Sequence, residues 1–472
     1  MPRGCLRRGG HLSSTAHSAG TRVSVSDRTL ILGAGMTGLA AGMASGLPVL
    51  EAAAHPGGIC CSYYLVPGRD QPLAEAPEDD GAYRFEHGGG HWLFGGDPAI
   101  LRFIASLGPV TRHERRSSVY FPDTGRYVPY PIQNHLRFFD NPTIVAALGE
   151  MARPQGPVST MADWLVESFG DTLTRMFFAP FHDLYTAGLY TEIALQDAYK
   201  SPVDLSLALR GAFAATGAVG YNTTFVYPQG GLDRLARRMA DRCRVAFDQR
   251  VVRIQVDERV ITLADGTTRG YQTLLSTLPL NRVMEMAGLS TAAPPDPFTS
   301  VLVINLGCTK GEACPDDHWL YLPHSQAGFH RVGFYSNVDA AFLPVQARRA
   351  RDRVSLYVER SFRGGERPSD AAVEEYCIRV VEELRDWGFV ERAEVVHPTW
   401  IDVAYTWSWP GSRWAAEALQ KLEDNGIYQI GRYGRWRFQG IADSIRDGFV
   451  AGTSFRTFAS HEPARTRPRR IA

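Results

Sequence analysis

Residues 29–45 read TLILGAGMTGLAAGMAS: a short apolar run, then Gly33, Gly35 and Gly38 in G-x-G-x-x-G spacing, then a helix of small residues. The order of strand, glycine turn and helix opens a βαβ unit, and it constrains the fold more than any other stretch of the chain. In such a turn one glycine serves a tight bend, one lets backbone approach a pyrophosphate, and one lets helix pack closely on strand. The helix N-terminus offers N–H groups to phosphates. A second strand, LPVLEA, ends at Glu51, near the distance expected for an acid that accepts hydrogen bonds from an adenosine ribose. These features predict a bound dinucleotide; a glycine turn needed only for packing is the alternative.

Two further glycine elements favour FAD over NAD. Gly57 and Gly58 follow Glu51 closely enough to bring another backbone segment to the pyrophosphate, and a strand-to-helix segment framed by Gly431 and Gly448 lies near the far end of the chain. Two such elements suit a long cofactor gripped at both ends. A third, GGGHWLF at 88–94, gives Gly88 to Gly90 the freedom to pass against an isoalloxazine where a Cβ would collide, with His91 and Trp92 near its reactive side. The plainer reading is a glycine turn into a core strand.

The 50 basic and 50 acidic side chains cancel, so no overall field draws the chain to nucleic acid or to an anionic membrane. Seven cysteines, odd in number and without a C-x-x-C pair, suggest neither a disulfide framework nor a zinc site and fit a reducing cytoplasm. No apolar run is long enough to span a membrane. The expected class is α/β, with a FAD-binding Rossmann-type domain interleaved with a helical lobe and an antiparallel sheet lobe. Residues 1–28 read as a disordered extension. Three segments (29–110, 219–290 and 421–458) build the FAD domain, with a mainly helical lobe at 111–218, a sheet lobe at 291–420 and a tail at 459–472. Ser159 or Thr160 can cap the helix beginning MADWLVESFG.

From residue 29 to 455 the chain resembles UDP-galactopyranose mutases, especially the longer eukaryotic-type ones. The marks are ILGAGMTGLA, PGG at 56–58, GGHWLF, VPYPIQN at 128–134, WLYLP followed by FHRVGFYSN, and GRYGRWRF. The resemblance implies a nucleoside diphosphate sugar as substrate and reduced FAD as nucleophile, its N5 attacking the anomeric carbon and expelling the diphosphate. The sugar interconverts between pyranose and furanose with no net oxidation, after reduction by NAD(P)H or another external reductant. Position by position, His91 falls on a histidine beside the flavin. Arg331 and Tyr321 match diphosphate contacts, and Tyr405 matches a second tyrosine of that kind. Tyr130 and Gln133 lie in a segment that contacts the base. Arg432 and Ser444 match FAD contacts, joining Gly33, Gly35, Gly38, Glu51, Gly57, Gly58 and Gly90.

The chain also departs from this pattern. Ala179 stands where the family has a second phosphate-binding arginine, Phe181 and Val338 where it has tyrosines, and Gly95 and Gly96 follow GGHWLF with no further histidine. One lost charge-assisted contact to a buried phosphate costs about 1.5–3 kcal/mol. His182, Lys200 and Arg210 are candidates to compensate. Arg331 as a sheet residue, and Arg432 paired with Asp443, are the plainer readings of those arginines. The cluster Trp407, Trp409 and Trp414 reads as core or a lobe contact. Two other functions stay open: a FAD-dependent oxidase or dehydrogenase of the amine-oxidase-like group, and a flavin- or nucleotide-binding protein without catalysis.

Overall fold

A computed structural model describes residues 28–196, 203–217, 219 and 222–461. The expected N-terminal extension apart from Arg28, the tail from residue 462 onward, and Lys200 lie outside them.

Five parallel strands lie in the order Arg244–Ala246, Pro48–Leu50, Thr29–Leu32, Thr273–Ser276 and Ile427–Gln429. They read as near-continuous apolar runs because the sheet is covered on both faces: Leu30, Ile31, Val49, Leu274, Leu275 and Ile427 are wholly buried. The glycine turn leaves the central strand at its carboxyl end, where doubly wound sheets bind ligands. The helix Met36–Ser45 follows and packs against the C-terminal helix Ile441–His461. A Cβ on Gly448 or Gly452 would overlap the Thr37 or Ala41 carbonyl oxygen, so the two helices approach backbone to backbone.

The stretch RVAFDQRVVRIQV divides between two sheets. Arg244–Ala246 joins the parallel sheet, whereas Val251–Gln255 opens an antiparallel ribbon with Val260–Leu263 and Thr268–Gly270. The Asp265-Gly266 turn in the ribbon has Gly266 at φ +83.

The largest sheet has seven strands: Val390–Thr406, Phe298–Lys310, Arg353–Arg363, Arg331–Phe334, Trp319–Tyr321, Ser117–Phe121 and Arg126–Pro129. Only Trp319–Tyr321 against Ser117–Phe121 is parallel. Along Phe298–Lys310 alternate residues serve different cores. Leu302, Ile304 and Leu306 pack with Tyr376, Val380 and Leu384 of the helix Asp370–Asp386, while Val301 and Val303 face the core shared with the glycine-rich domain.

The helical lobe is narrower than the expected 111–218. VYFPDTGRYV forms a hairpin at the edge of the large sheet, turning at Gly125 (φ +61). Val110–Glu114 pairs with Thr224–Pro228 in a small sheet that also takes Leu93–Phe94. Beyond short 3-10 turns, its α-helices begin at Asn141–Met151 and continue through Met161–Leu173, Ala179–Thr186 and Leu205–Phe213. Thr160 is the cap: its hydroxyl accepts from Asp163 N and the Asp163 carboxylate accepts from Thr160 N, a capping box. No helix among the described residues is long and apolar enough to cross a membrane.

Candidate functional site

The three fingerprint glycines do different physical work. A Cβ on Gly33 (φ +95) would overlap Thr277 Oγ1, and one on Gly38 would overlap the Gly33 carbonyl, so both are required by the protein's own packing. Gly35 is different. Its backbone is ordinary (φ −69), and nothing lies within 4 Å of an added Cβ. The missing side chain leaves open space at the start of the helix, a cradle that a larger residue would fill. Gly57 (φ +113) donates its N–H to Ala34 O at 2.9 Å and forms a parallel bridge with Gly35, bringing the second glycine turn against the first. The Glu51 carboxylate, 9% exposed, accepts from Ala34 N at 2.6 Å and Ala53 N at 2.9 Å. Two backbone amides thus orient it, and its remaining lone pairs suit ribose hydroxyls. These residues fit the adenosine and pyrophosphate of FAD.

A cavity of about 300 Å³ lies where the large sheet, the helical lobe and the segment Arg432–Ile441 meet. It brings together His91, Gly90, Tyr130, Tyr321, Arg331, Tyr405 and Arg432, residues spread over more than 340 positions of sequence. Strand register explains part of this: Tyr321 stands directly opposite Arg331, and the Arg331 guanidinium lies 5.8 Å from the Tyr321 ring centroid. Tyr130 packs on Tyr321 with ring centroids 4.6 Å apart, and Tyr185 from the helical lobe reaches Tyr405 at 4.8 Å. Phe177, Phe181, Trp164, Trp319 and Trp407 complete a predominantly aromatic wall.

Gln133 and Ser444 are not lining residues of this cavity. Gln133 is 1% exposed in the turn Ile132–Asn134, and Ser444 lies in the C-terminal helix with its N–H on Gly440 O. Of the tryptophan cluster, Trp407 lines the cavity, whereas Trp414 packs on Trp436 at 5.0 Å in the core. Arg432 does not pair with Asp443, which binds Arg446 at 3.4 Å; instead its guanidinium donates to Ala404 O and Gln439 O and lies 5.5 Å from the Tyr405 ring.

The glycines of GGGHWLF answer to the protein. A Cβ on Gly90 would overlap the hydroxyl of Tyr357, and one on Gly88 would stand 2.7 Å from His91 Cε1 and 2.8 Å from Ile59 O. The collision expected with the isoalloxazine is therefore met first by protein atoms, because Tyr357 from the large sheet reaches under the loop. Trp92, 5% exposed, packs edge-on against Tyr227 and Tyr335 while still bordering the cavity. His91 Nδ1 lies 3.0 Å from Gly89 O. Burial lowers its pKa against the pull of that carbonyl, which favours the neutral imidazole.

Two acids behind the site carry no sequence motif. Glu359 is Arg331's cross-strand partner: Arg331 Nη1 stands 3.5 Å from Glu359 Oε1, and His330 Nε2 lies 3.4 Å from Oε2. Burial works to raise the Glu359 carboxyl, but Arg331 and His330 overcome it and hold it below the usual carboxylate range. Glu86, wholly buried, accepts from His91 N at 3.3 Å and from the Tyr227 hydroxyl. Burial pushes it up to about 8 despite Tyr227 and Arg84. Glu86 lies in the buried strand Tyr83–Glu86, and no feature of the sequence singled out either acid.

Among the proposed substitutes for Ala179, His182 lines the cavity, but burial lowers it to about 4 and its Nδ1 lies 2.7 Å from Phe178 O, so it brings no charge. Arg210 is exposed on Leu205–Phe213, away from the lining. Val338 is buried in the core.

The fold is shared with several solved structures. A reduced UDP-galactopyranose mutase superposes with a TM-score of 0.77 over 92% of this chain and 98% of its own, at 21% identity. A putrescine oxidase bound to putrescine gives 0.55 over 91% and 99% at 18% identity. A CLA-producing fatty acid isomerase from P. acnes gives 0.56 over 92% and 99% at 14% identity. The family model of flavin containing amine oxidoreductases matches residues 47–451, most of the chain, and the protein belongs to that family of FAD enzymes.

Proposed function

We propose that the protein is a nucleotide-sugar mutase that interconverts pyranose and furanose forms, with a nucleoside diphosphate sugar as substrate and an external reductant such as NAD(P)H. The observation that carries this reading is the meeting of Arg331, Tyr321, Tyr405 and Tyr130 with the His91 loop in a single cavity. In the reduced state FAD supplies a nucleophilic N5 for attack at the anomeric carbon. The chain's own part is placement and charge. Arg331 and the hydroxyls of Tyr321 and Tyr405 are donors for a departing diphosphate, and burial with the aromatic wall excludes water. Burial pushes the Tyr405 hydroxyl up to about 12 even with Arg331 nearby, so it stays protonated and able to donate. Glu359 holds the guanidinium in position but offsets its charge, which distinguishes this site from a bare cationic clamp.

That offset, together with the aromatic wall, favours a second reading: an oxidase of a less anionic substrate. The two separate cleanly. Dithionite-reduced enzyme is incubated with a panel of UDP-, GDP- and dTDP-sugars and the products are chromatographed. An isomer of equal mass supports the mutase. No isomer from any donor, with hydrogen peroxide formed stoichiometrically from another substrate in air, supports the oxidase.

A further inference from the structure

Behind the loop that carries His91, the carboxyl of Glu86 is wholly buried at the end of the strand Tyr83–Glu86. Its Oε2 accepts the His91 N–H at 3.3 Å, and its Oε1 accepts from the hydroxyl of Tyr227, itself 1% exposed. Earlier in the loop the partners are backbone and neutral groups: Glu86 O accepts from Gly89 N, Asn305 Nδ2 and the Tyr335 hydroxyl, and Gly88 N donates to Ile59 O. At His91 the hold passes to a side chain that can change charge. A trans peptide is planar, so an N–H drawn to Glu86 turns the Gly90 carbonyl to the opposite side, and both Gly90 and His91 border the flavin cavity.

Glu86 has no counter-ion of its own. Among the described residues no cation stands within ion-pair distance of it; Arg84, two residues back on the strand, pairs with Asp339 at 3.3 Å and lies 4.0 Å from the Phe342 ring centroid. The other titratable groups around it bring no positive charge. Asp233, 6% exposed, faces it from the helix Leu232–Ala240, and the buried thiols of Cys60 and Cys61 face it from the turn at 58–61. Burial raises both thiols and the hydroxyls of Tyr227, Tyr335 and Tyr63, so all five stay protonated. Burial also lowers the imidazoles of His91 and His87. A carboxyl among such neighbours favours its neutral form, and burial pushes Glu86 up to about 8 against the hydrogen bond from Tyr227 and the charge of Arg84.

We infer that Glu86 is a positioning residue whose proton sets how firmly the Gly90–His91 peptide is held at the flavin cavity. Protonated on Oε1, the acid donates to the Tyr227 oxygen and offers the His91 N–H a neutral acceptor. Ionised, it accepts from both, and a hydrogen bond to an ionised acceptor is about twice as strong. The inference rests on FAD in the cavity and not on the substrate, so it is separable from both readings of the reaction.

The test is a titration of the oxidised holoenzyme from pH 6.5 to 9.5. It is read by the visible absorption of the bound flavin and by hydrogen exchange at the His91 amide, resolved with overlapping peptides and corrected for the intrinsic pH dependence of exchange. The wild type should show an inflection near pH 8 in the flavin spectrum, with His91 exchange slowing about fivefold as the acid ionises. Glu86→Gln keeps an acceptor for the His91 N–H and a donor for Tyr227 but cannot titrate, so it should retain FAD and lose both changes. Tyr227→Phe removes a hydrogen bond that favours the carboxylate, so its inflection should move up by at least about half a pH unit; this variant keeps the test decisive should Glu86→Gln not fold. Absence of an inflection in the wild type, or its persistence in Glu86→Gln, would overturn the inference. So would an unmoved or lowered inflection in Tyr227→Phe, or His91 exchange that runs alike in wild type and Glu86→Gln.

Discussion

Arg331→Ala should destabilise the protein far more at alkaline than at mildly acidic pH. At 3.5 Å the attraction between Arg331 and Glu359 is about 5 kcal/mol for an effective dielectric near 20. Breaking a buried pair from one side typically costs about 3–5 kcal/mol. The Arg331 side chain keeps 21% of its surface exposed, so solvent screens part of this, and about 3 kcal/mol at pH 8 is the expected loss. Glu359, at 6% exposure, then has the imidazoles of His330 and His91 near it but no guanidinium, and burial raises its pKa above the unfolded value of roughly 4.3. A carboxyl raised in the folded state contributes stability that is present below its unfolded pKa and lost as pH rises through the folded one. The deficit relative to wild type should therefore be smaller near pH 5.5 than at pH 8. Adding Glu359→Gln to Arg331→Ala removes the stranded charge, so the double variant should be more stable than the single one at pH 8. Urea unfolding of the FAD-loaded proteins at both pH values measures this. Equal deficits at the two pH values, with a double variant less stable than the single, would refute an ion pair as the function of Glu359.

Gly35→Ala should fold with a stability within about 1 kcal/mol of wild type, since the backbone is ordinary and the added Cβ meets nothing, yet it should leave gel filtration with less FAD per chain. Gly33→Ala, facing Thr277 Oγ1 at φ +95, should lose fold and flavin together; equal FAD retention by both variants would contradict these roles. On acidification from pH 6.5 toward 4, His182, His135 and His318 stay neutral in the folded state while their unfolded counterparts take up protons. Each therefore removes up to about 1.4 kcal/mol per pH unit in that window, Glu86, protonated in the folded state, returns about the same amount once, and the net stability falls below pH 6.5. A flat urea-stability profile between pH 6.5 and 4.5 would contradict that.

Local chemistry was legible in the sequence and pairing across strands was not. G-x-G-x-x-G after an apolar run determines the turn by itself, and Glu51 follows one strand later, so that half of the site needed no tertiary information. The aromatic and basic candidates, His91, Tyr321, Arg331, Tyr405 and Arg432, were found as types at motif positions, and the fold brings them to one cavity. Glu359 was missed because it lies opposite Arg331 only through the register of two antiparallel strands 28 positions apart. The same limit applies to Gly90, whose need for glycine comes from Tyr357, 267 positions away. The boundary of the helical lobe was misplaced because the hairpin around Gly125 adds to a sheet whose other strands start near residue 298.

The most direct test of the proposed chemistry counts reducing equivalents against turnovers. Enzyme reduced anaerobically with one equivalent of dithionite per flavin, then given excess nucleotide sugar, should complete many turnovers without further reductant and end with its flavin still reduced. Product formation that stops at one per flavin, or that draws a fresh equivalent each time, would contradict the account.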